Sequence, residues 1–504
     1  MTRKPRLSLA PAALATAGLA TLLAGCNLAP AYRPPATKPI PGQFKEEPGW
    51  TAAVPSDAVA RGEWWLLFND PVLDGLERKV EFDNQTVAAS RAALEEARGL
   101  VRQDRAALFP TVTGNLDVNV SHNSTTSSGT TSGTGSSTGT GTGTGTGTTT
   151  TTTTSSTGGT STRISATIGA TWEPDLWGRL RNTVSQAKAN AQASQGDLVN
   201  ATLAARGELA SDYFQLRGMD AQLVMLDATI TAYARALTIT TNKYKAGTVA
   251  RSDVYQAQTA LSNAQASRKE TARSRAVMEH AIAVLAGENP STFALAAVTW
   301  NPVVPQVPAT IPSAVLQRRP DVAAAERRVA AANANIGIQR AAFFPQFNLS
   351  ADAGLSATSL GNLVSAPVFL WSLGLSGVQT LLDFGANRAK VAQARAAYDQ
   401  AAANYRQAAL VAFRDTEDQL ANTQAYTRIQ ADRDAASAAA AHAETIARNQ
   451  YLAGIVDYTS VTTAANTAYS ARINKIQAVV NRQTATVALI QAIGGTWVDA
   501  KLGG

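Results

Sequence analysis

The chain has 504 residues, only 16% of them charged, and its 44 Lys and Arg against 37 Asp and Glu give a formal charge of +7. The basic residues are scattered, with no run interleaved with aromatics, which argues against a nucleic-acid partner. A single cysteine, Cys26, excludes an intrachain disulfide and a zinc cluster, and the histidines His122, His280 and His442 stand far apart with no H-E-x-x-H pattern. The Gly-Thr alternation from Gly139 to Gly147 lacks the Lys-Ser/Thr of a phosphate loop. No motif points to an enzyme, a metal or a cofactor.

In chain order, Arg3, Lys4 and Arg6 precede an apolar run that begins at Leu7 and ends in Leu23-Ala24-Gly25-Cys26. Residues 1–25 read as a secretory signal peptide. Its ending resembles a lipobox, which implies cleavage before Cys26 and a covalent lipid on that residue. Several acyl chains anchor a protein stably where one is marginal. Asn27 follows the cysteine, and the absence of Asp there resembles outer-membrane lipoproteins. Removing the signal removes three positive charges and leaves +4.

Residues 26–75 form a lipidated N-terminal arm. Seven prolines between Asn27 and Arg61 predict an extended path. Trp64 and Trp65, with Phe68, Asn69, Asp70 and Pro71, mark where the arm docks. The stretch from Pro71 to Leu108 is predicted helical, and Val80, Val87, Leu94 and Val101 repeat at a spacing of seven, the signature of a coiled-coil seam.

An internal repeat organises everything that follows. Pro110 maps to Pro345 at an offset of 235, while Gly178 maps to Gly385 at 207, a register that also pairs Val184 with Val391, Ala187 with Ala394 and Gly247 with Gly454. The difference of 28 residues falls inside the first copy, where Ser124 to Thr162 are 39 consecutive Ser, Thr and Gly. This tract is predicted to be a disordered surface loop enlarging one hairpin. The first repeat then covers 76–288, with a β-hairpin at 111–173. The second covers 320–494, with a β-hairpin at 346–380 closed by a tight loop. A Pro-rich linker, 289–319, folds against the mid-section between them, and 495–504 form a tail.

The hairpin segments alternate. Val112, Leu116, Val118 and Val120 oppose Thr113, Asn115, Asp117 and Asn119, and Ile164, Ala166, Ile168, Ala170 and Trp172 oppose Ser165, Thr167 and Thr171. Phe347, Leu349, Ala351, Ala353 and Leu355 oppose Asn348, Ser350 and Asp352, and Trp371, Leu373 and Leu375 mark a fourth strand. Strands of ~10 residues with one apolar face are the pattern of an outer-membrane barrel. No later segment strings together about 18 apolar residues, so no transmembrane helix is predicted and any span must be a barrel.

Between the hairpins run long helices. Arg179 to Tyr244 contains no proline, and its 66 residues make a rod of about 100 Å. Its seam of Leu180, Val184, Ala187, Ala191, Ser194, Leu198, Ala201 and Ala205 is small enough to bring neighbouring helices close. The chain turns near Gly247 and returns to Leu285; the second copy turns near Gly454 and returns to Ile493. Arg318-Arg319-Pro320-Asp321 opens the helix that starts the second copy.

Four strands cannot close a barrel, and about eight give one filled by side chains. Three copies give twelve strands and an open lumen. The fold class expected is therefore an α+β membrane protein with four transmembrane β-strands per chain. As a homotrimer it forms a 12-stranded barrel continued by a long antiparallel coiled-coil α-helical barrel.

The combination of Leu23-Ala24-Gly25-Cys26, Tyr32-Arg33-Pro34-Pro35, Trp64-Trp65 with Asp70-Pro71, Phe109-Pro110, Asp175-Leu176-Trp177-Gly178, Arg318-Arg319-Pro320-Asp321-Val322 with Glu326, and Phe344-Pro345 resembles the outer membrane efflux protein family. The likeness is to the TolC-like lipoprotein branch (NodT-like) serving RND-type pumps. It implies a passive trimeric duct through the outer membrane and periplasm for small toxic compounds. The implied partners are a periplasmic adaptor protein, an inner-membrane RND-type transporter and outer membrane lipid. By the same resemblance, Tyr244, Gly247, Tyr451 and Gly454 are the adaptor-docking tips and Asp253 belongs to the closed gate. Val456 and Ser460 stand where the family often carries Arg and Asp, and Asp457 is the nearby acid, a candidate for an acidic ring that repels anions. A duct for protein secretion shares the same tube, and a structural or adhesive surface lipoprotein would use the Ser/Thr stalk but leaves the repeated hairpins unexplained.

Overall fold

The computed structural model describes residues 27–36, 63–130, 152–305, 319–365 and 367–495. Cys26 and the signal segment, residues 37–62 of the arm, the centre of the Ser/Thr/Gly tract, linker residues 306–318 and the tail from 496 lie outside the described residues. After a 3-10 turn at Trp64–Phe68 come α1 (Pro71–Asp83), α2 (Gln85–Ala106), β1 (Thr111–Thr130), β2 (Thr152–Trp172), α3 (Arg179–Lys245) and α4 (Arg251–Leu285). Then follow α5 (Pro320–Ala341), β3 (Gln346–Ala357), α6 (Leu360–Ser365), β4 (Val368–Val378), α7 (Ala386–Leu452) and α8 (Tyr458–Ala492).

The duplication holds to the residue. Helices α3 and α7 have 67 residues each, and α4 and α8 have 35 each, both pairs offset by 207. Helices α2 and α5 have 22 each, offset by 235. Two compact units result, one built on residues 103–181 and 338–388, the other holding the remaining helices.

The first unit is a four-stranded antiparallel sheet in the order β1-β2-β3-β4. Its register aligns like with like: Ala166 lies between Leu116 and Leu355, Ala353 pairs with Trp371, and Ala351 with Leu373. One continuous apolar face therefore crosses all four strands. The opposite face carries Asn115, Asp117, Thr167, Asp352 and Ser372, whose hydroxyl donates to Asp352 at 3.1 Å. A Cβ at Gly169 would sit 2.6 Å from Asp352 Oδ1, so glycine makes room for that carboxylate. Among the described residues most of the apolar face is uncovered: Trp371 is 73% exposed and Leu373 69%.

Four expectations need correction. Strands β1 and β2 have 20 and 21 residues, twice the predicted length, and their ladder runs on through Ser124–Gly158 to Thr130–Thr152. Both ends of the tract predicted to be disordered are thus paired, because no proline or charge interrupts the register and threonine favours extended backbone. The second hairpin is not closed by a tight loop but contains α6. The helix predicted from Pro71 to Leu108 breaks at Asn84, whose extended backbone ends α1. The Asn84 side chain accepts from the amides of Thr86 and Val87 at 2.9 and 3.1 Å and donates to Leu285 O at 2.8 Å. Val80, Val87 and Leu94 stay buried across the break. Finally, α3 contains a window apolar enough by composition to qualify as a membrane span. That helix is about 100 Å long, three times the hydrocarbon thickness of about 30 Å.

In the helical unit both hairpins are antiparallel and cross-braced, by Asp220–Arg275 at 2.5 Å and Asp227–Arg268 in the first, and by Glu444–Arg472 at 2.7 Å and Asp434–Lys475 at 3.1 Å in the second. Helices α3 and α8 touch at small residues, since a Cβ at Gly218 would lie 2.5 Å from Val480 Cγ2. Trp64, Trp65 and Phe68 enter the main core with Leu73, Leu76, Val80, Leu209, Tyr213, Phe214 and Ile490. Asp70 caps α1 and accepts from Tyr213 OH at 2.7 Å, which accounts for the aromatic-Asp-Pro motif. Arg319 binds Asp321, Asp415 and Ala492 O, tying the start of α5 to α7 and the end of α8. The N-terminal arm lies along α5, where Tyr32 OH donates to Glu326 and Asn333 donates to Pro30 O at 2.9 Å.

Glycines 247 and 287 both have left-handed backbones, with φ of 74° and 72°. A Cβ meets nothing within 4 Å at Gly247, but at Gly287 it would fall 2.3 Å from Asp83 O. Gly247→Ala should cost only the backbone penalty of about 1–2 kcal/mol. Gly287→Ala should lower the melting midpoint of the detergent-solubilised protein distinctly further; equal midpoints would contradict the close approach of α1.

Candidate functional site at the helical tips

The two tips are built by the same hydrogen bonds. Past α3, Gly247 N donates to Tyr244 O at 2.8 Å and Thr248 N to Lys243 O at 3.0 Å; past α7, Gly454 N donates to Tyr451 O at 3.1 Å and Ile455 N to Gln450 O at 2.9 Å. This double closure satisfies the last carbonyls of each helix and requires a left-handed residue, which glycine supplies.

The side chains break the symmetry. Tyr451 is buried, whereas its repeat mate Tyr244 is 41% exposed. Tyr451 meets Tyr458 edge-on, with centroids 5.3 Å apart, in a cluster with Ala257, Leu237, Val456 and Val461. Lys243 reaches across from α3, its Nζ 4.1 Å above the Tyr451 ring and donating to Tyr451 O at 3.0 Å. Thr240 Oγ1 lies 3.4 Å from Tyr451 OH. The first copy is therefore latched onto the second through Tyr451. Val456 packs into this cluster as an apolar residue beside Tyr451 and Tyr458.

Asp253 sits in the first turn of α4 and accepts from the Ser252 hydroxyl at 3.2 Å. Burial, followed by the neighbouring Tyr451, Tyr233 and Asp253, pushes the Tyr458 hydroxyl up to about 12. Asp457 is exposed and caps α8, accepting from Ser460 N at 2.9 Å and Ser460 Oγ at 2.7 Å. Those two bonds hold its carboxyl below the usual range. A lowered value means that the cap's contribution is present at neutral pH and is lost as pH falls through the folded-state value. Lys243, Thr240 and Tyr458 are contact residues that sequence reasoning missed. Only the preference for a cation in the last turn of α3 hinted at the first. Cys26 lies outside the described residues; the neighbouring Leu28 O accepts from Arg340 at 3.2 Å.

The profile of the outer membrane efflux proteins matches residues 79–288 and 311–495, covering both copies. The chain belongs to this family. Its relatives include the probable efflux pump outer membrane protein TtgC of Pseudomonas putida, 28% identical over 497 residues, 96% of each chain. The solvent efflux pump outer membrane protein SrpC of the same species is 28% identical over 480 residues, 94% of this chain and 96% of that one. Among solved structures, the outer-membrane channel OprN gives a TM-score of 0.78 at 25% identity, covering 94% of this chain and 100% of that one. The Campylobacter jejuni CmeC outer membrane channel gives 0.79 at 19% identity over 93% and 95%, a likeness of fold alone. The efflux protein thus has the fold of the TolC-like outer membrane channels and acts as an outer membrane channel of an efflux pump, a passive duct and not an enzyme.

Lys243→Met should remove an interaction of about 1–2 kcal/mol at the tip. The melting midpoint of the detergent-solubilised protein should fall in Lys243→Met and stay near wild type in Lys243→Arg; an unchanged Lys243→Met midpoint would mean that packing alone holds Tyr451.

Proposed function

We propose that three copies of this chain form a duct that carries small toxic organic compounds from the periplasm across the outer membrane. The observation that carries this reading is the sheet: four strands with one exposed apolar face, one polar face, and an open edge on β1 and on β4. In lipid those edges must be paired, so β4 of one copy joins β1 of the next until twelve strands enclose water. The paired helical hairpins continue the wall as a coiled-coil α-helical barrel in the periplasm, and the apolar window of α3 serves that wall. Cys26, lipidated, adds an anchor in the same membrane.

The tips at Tyr244, Gly247, Tyr451 and Gly454 face a periplasmic adaptor, which links the duct to an inner-membrane RND-type transporter that supplies the energy. Asp253, Lys243 and Tyr451 belong to the closing contacts, and Asp457, repeated three times, forms an acidic ring at the entrance. Relatives named for solvent and toluene efflux support organic solvents and drugs as cargo. Their names favour efflux over protein secretion.

Deleting the gene should raise susceptibility to toluene and to hydrophobic antibiotics, and the wild-type gene should restore resistance; an unchanged susceptibility panel would remove the efflux reading. Asp457→Asn keeps the cap and loses the charge, so it should lower the cation preference of single channels without disturbing folding. Unchanged ion selectivity would exclude the acidic ring.

A further inference from the structure

The sheet completes one half of a repeated pattern and leaves the other half open. Its two hairpins correspond to the residue. The β1–β2 pair of Leu116 with Ala166, moved by the repeat offsets of 235 and 207, falls on Ala351 with Leu373, a pair of β3–β4. Side chains agree as well. Trp172 Nε1 donates to Leu108 O at 3.0 Å, and its mate Gln379 donates through Nε2 to Phe343 O, the mate of Leu108, at 3.4 Å. At the seam between the hairpins, where β2 meets β3, Trp177 stacks on Phe344 with centroids 4.7 Å apart. Its Nε1 donates to Pro345 O at 2.7 Å.

The mates of these two rings are Phe384 and Phe109, which lie beyond opposite edges of the sheet, one after β4 and the other before β1. Both are in the open: Phe384 is 93% exposed and Phe109 68%. Phe384 also holds a left-handed backbone, with φ of 51°, which a bulky side chain seldom adopts. Two large rings, each the repeat mate of a ring that is stacked, are thus left facing outward at the two free edges.

We propose that Phe384 of one copy stacks on Phe109 of the next copy, and that the β2–β3 seam is repeated between copies with its register unchanged. This rests on the duct reading above and adds to it which residues meet. The β2–β3 pair of Ile168 with Ala353, moved by the same offsets, sets Leu375 opposite Val118 of the next copy; the pair of Ala166 with Leu355 sets Leu373 opposite Val120. All four of those side chains are exposed in the single chain. Nothing in the offsets requires apolar residues to meet. A slip of one residue would set Leu375 against Asp117 or Asn119 instead. On the polar face Ser376 comes opposite Asp117, as Gly169 faces Asp352 within the chain. Phenylalanine has no N–H for the carbonyl of Pro110, the mate of Pro345, so the contact between copies is stacking alone.

Paired cysteines in the full-length chain, oxidised in isolated outer membranes with copper phenanthroline, test the register. The wild-type protein, with Cys26 alone, sets the background. Leu375→Cys with Val118→Cys should give disulfide-linked dimers and trimers on non-reducing gels. Leu375→Cys with Val120→Cys, two residues out of register, should give little or none. Linking through the shifted pair in place of the first would overturn the register and leave the duct standing, whereas a protein found only as monomers, with neither pair linked, would end both. For the rings, Phe384→Ala and Phe109→Ala should each lower the temperature at which the native oligomer dissociates in detergent. The double variant should lose no more than the larger single loss. Unchanged temperatures, or losses that add, would place the Phe384 ring against lipid and remove the aromatic contact.

Discussion

A peptide group in the hydrocarbon of a membrane has no water to bond, so each N–H and C=O must find a partner within protein. In the proposed duct that demand falls on the outer edges of β1 and β4. Inside the sheet the ladder is complete, and the register places apolar residues beside apolar residues across all four strands. Among the described residues the edges have no partner, and Trp371 and Leu373 on the apolar face stay exposed. In the proposed duct both deficits have one remedy, a closed ring of strands set in lipid.

The helical unit follows from duplication in the same way. Equal lengths of 67 and 35 residues in both copies keep the two hairpins in step, and a left-handed glycine ends each helix at matching places: Gly247 and Gly454 at the tips, Gly287 and Gly494 at the far ends. Small residues, and in the first hairpin the buried Asp220–Arg275 pair, then set the spacing between helices. Function arises where the copies differ. Lys243 is matched by Gln450, so only the first copy can place a cation on the buried Tyr451, and the tip becomes a contact between unlike halves.

Much of this was legible in the residues. Lipid on one side and water on the other impose opposite chemistry on neighbouring positions, so the strands announce themselves by alternation around Val112, Ile164, Leu349 and Leu373. The turn glycines are visible because no other residue adopts their backbone cheaply. The Ser/Thr/Gly tract misled because hydroxyl side chains give no apolar contrast, while pairing there follows from a ladder already started below. Asn84 was hidden for a different reason: the seam of Val80, Val87 and Leu94 runs unbroken through a backbone that breaks. The latch at Tyr451 depends on residues some 200 positions apart in sequence, beyond the reach of local pattern.

The account stands on strands being shared among copies until no edge is left. Native mass spectrometry of the protein released from detergent measures this most directly. It should give a mass of three protomers and no other stable species. A population made only of monomers, or one of dimers or tetramers, would contradict it.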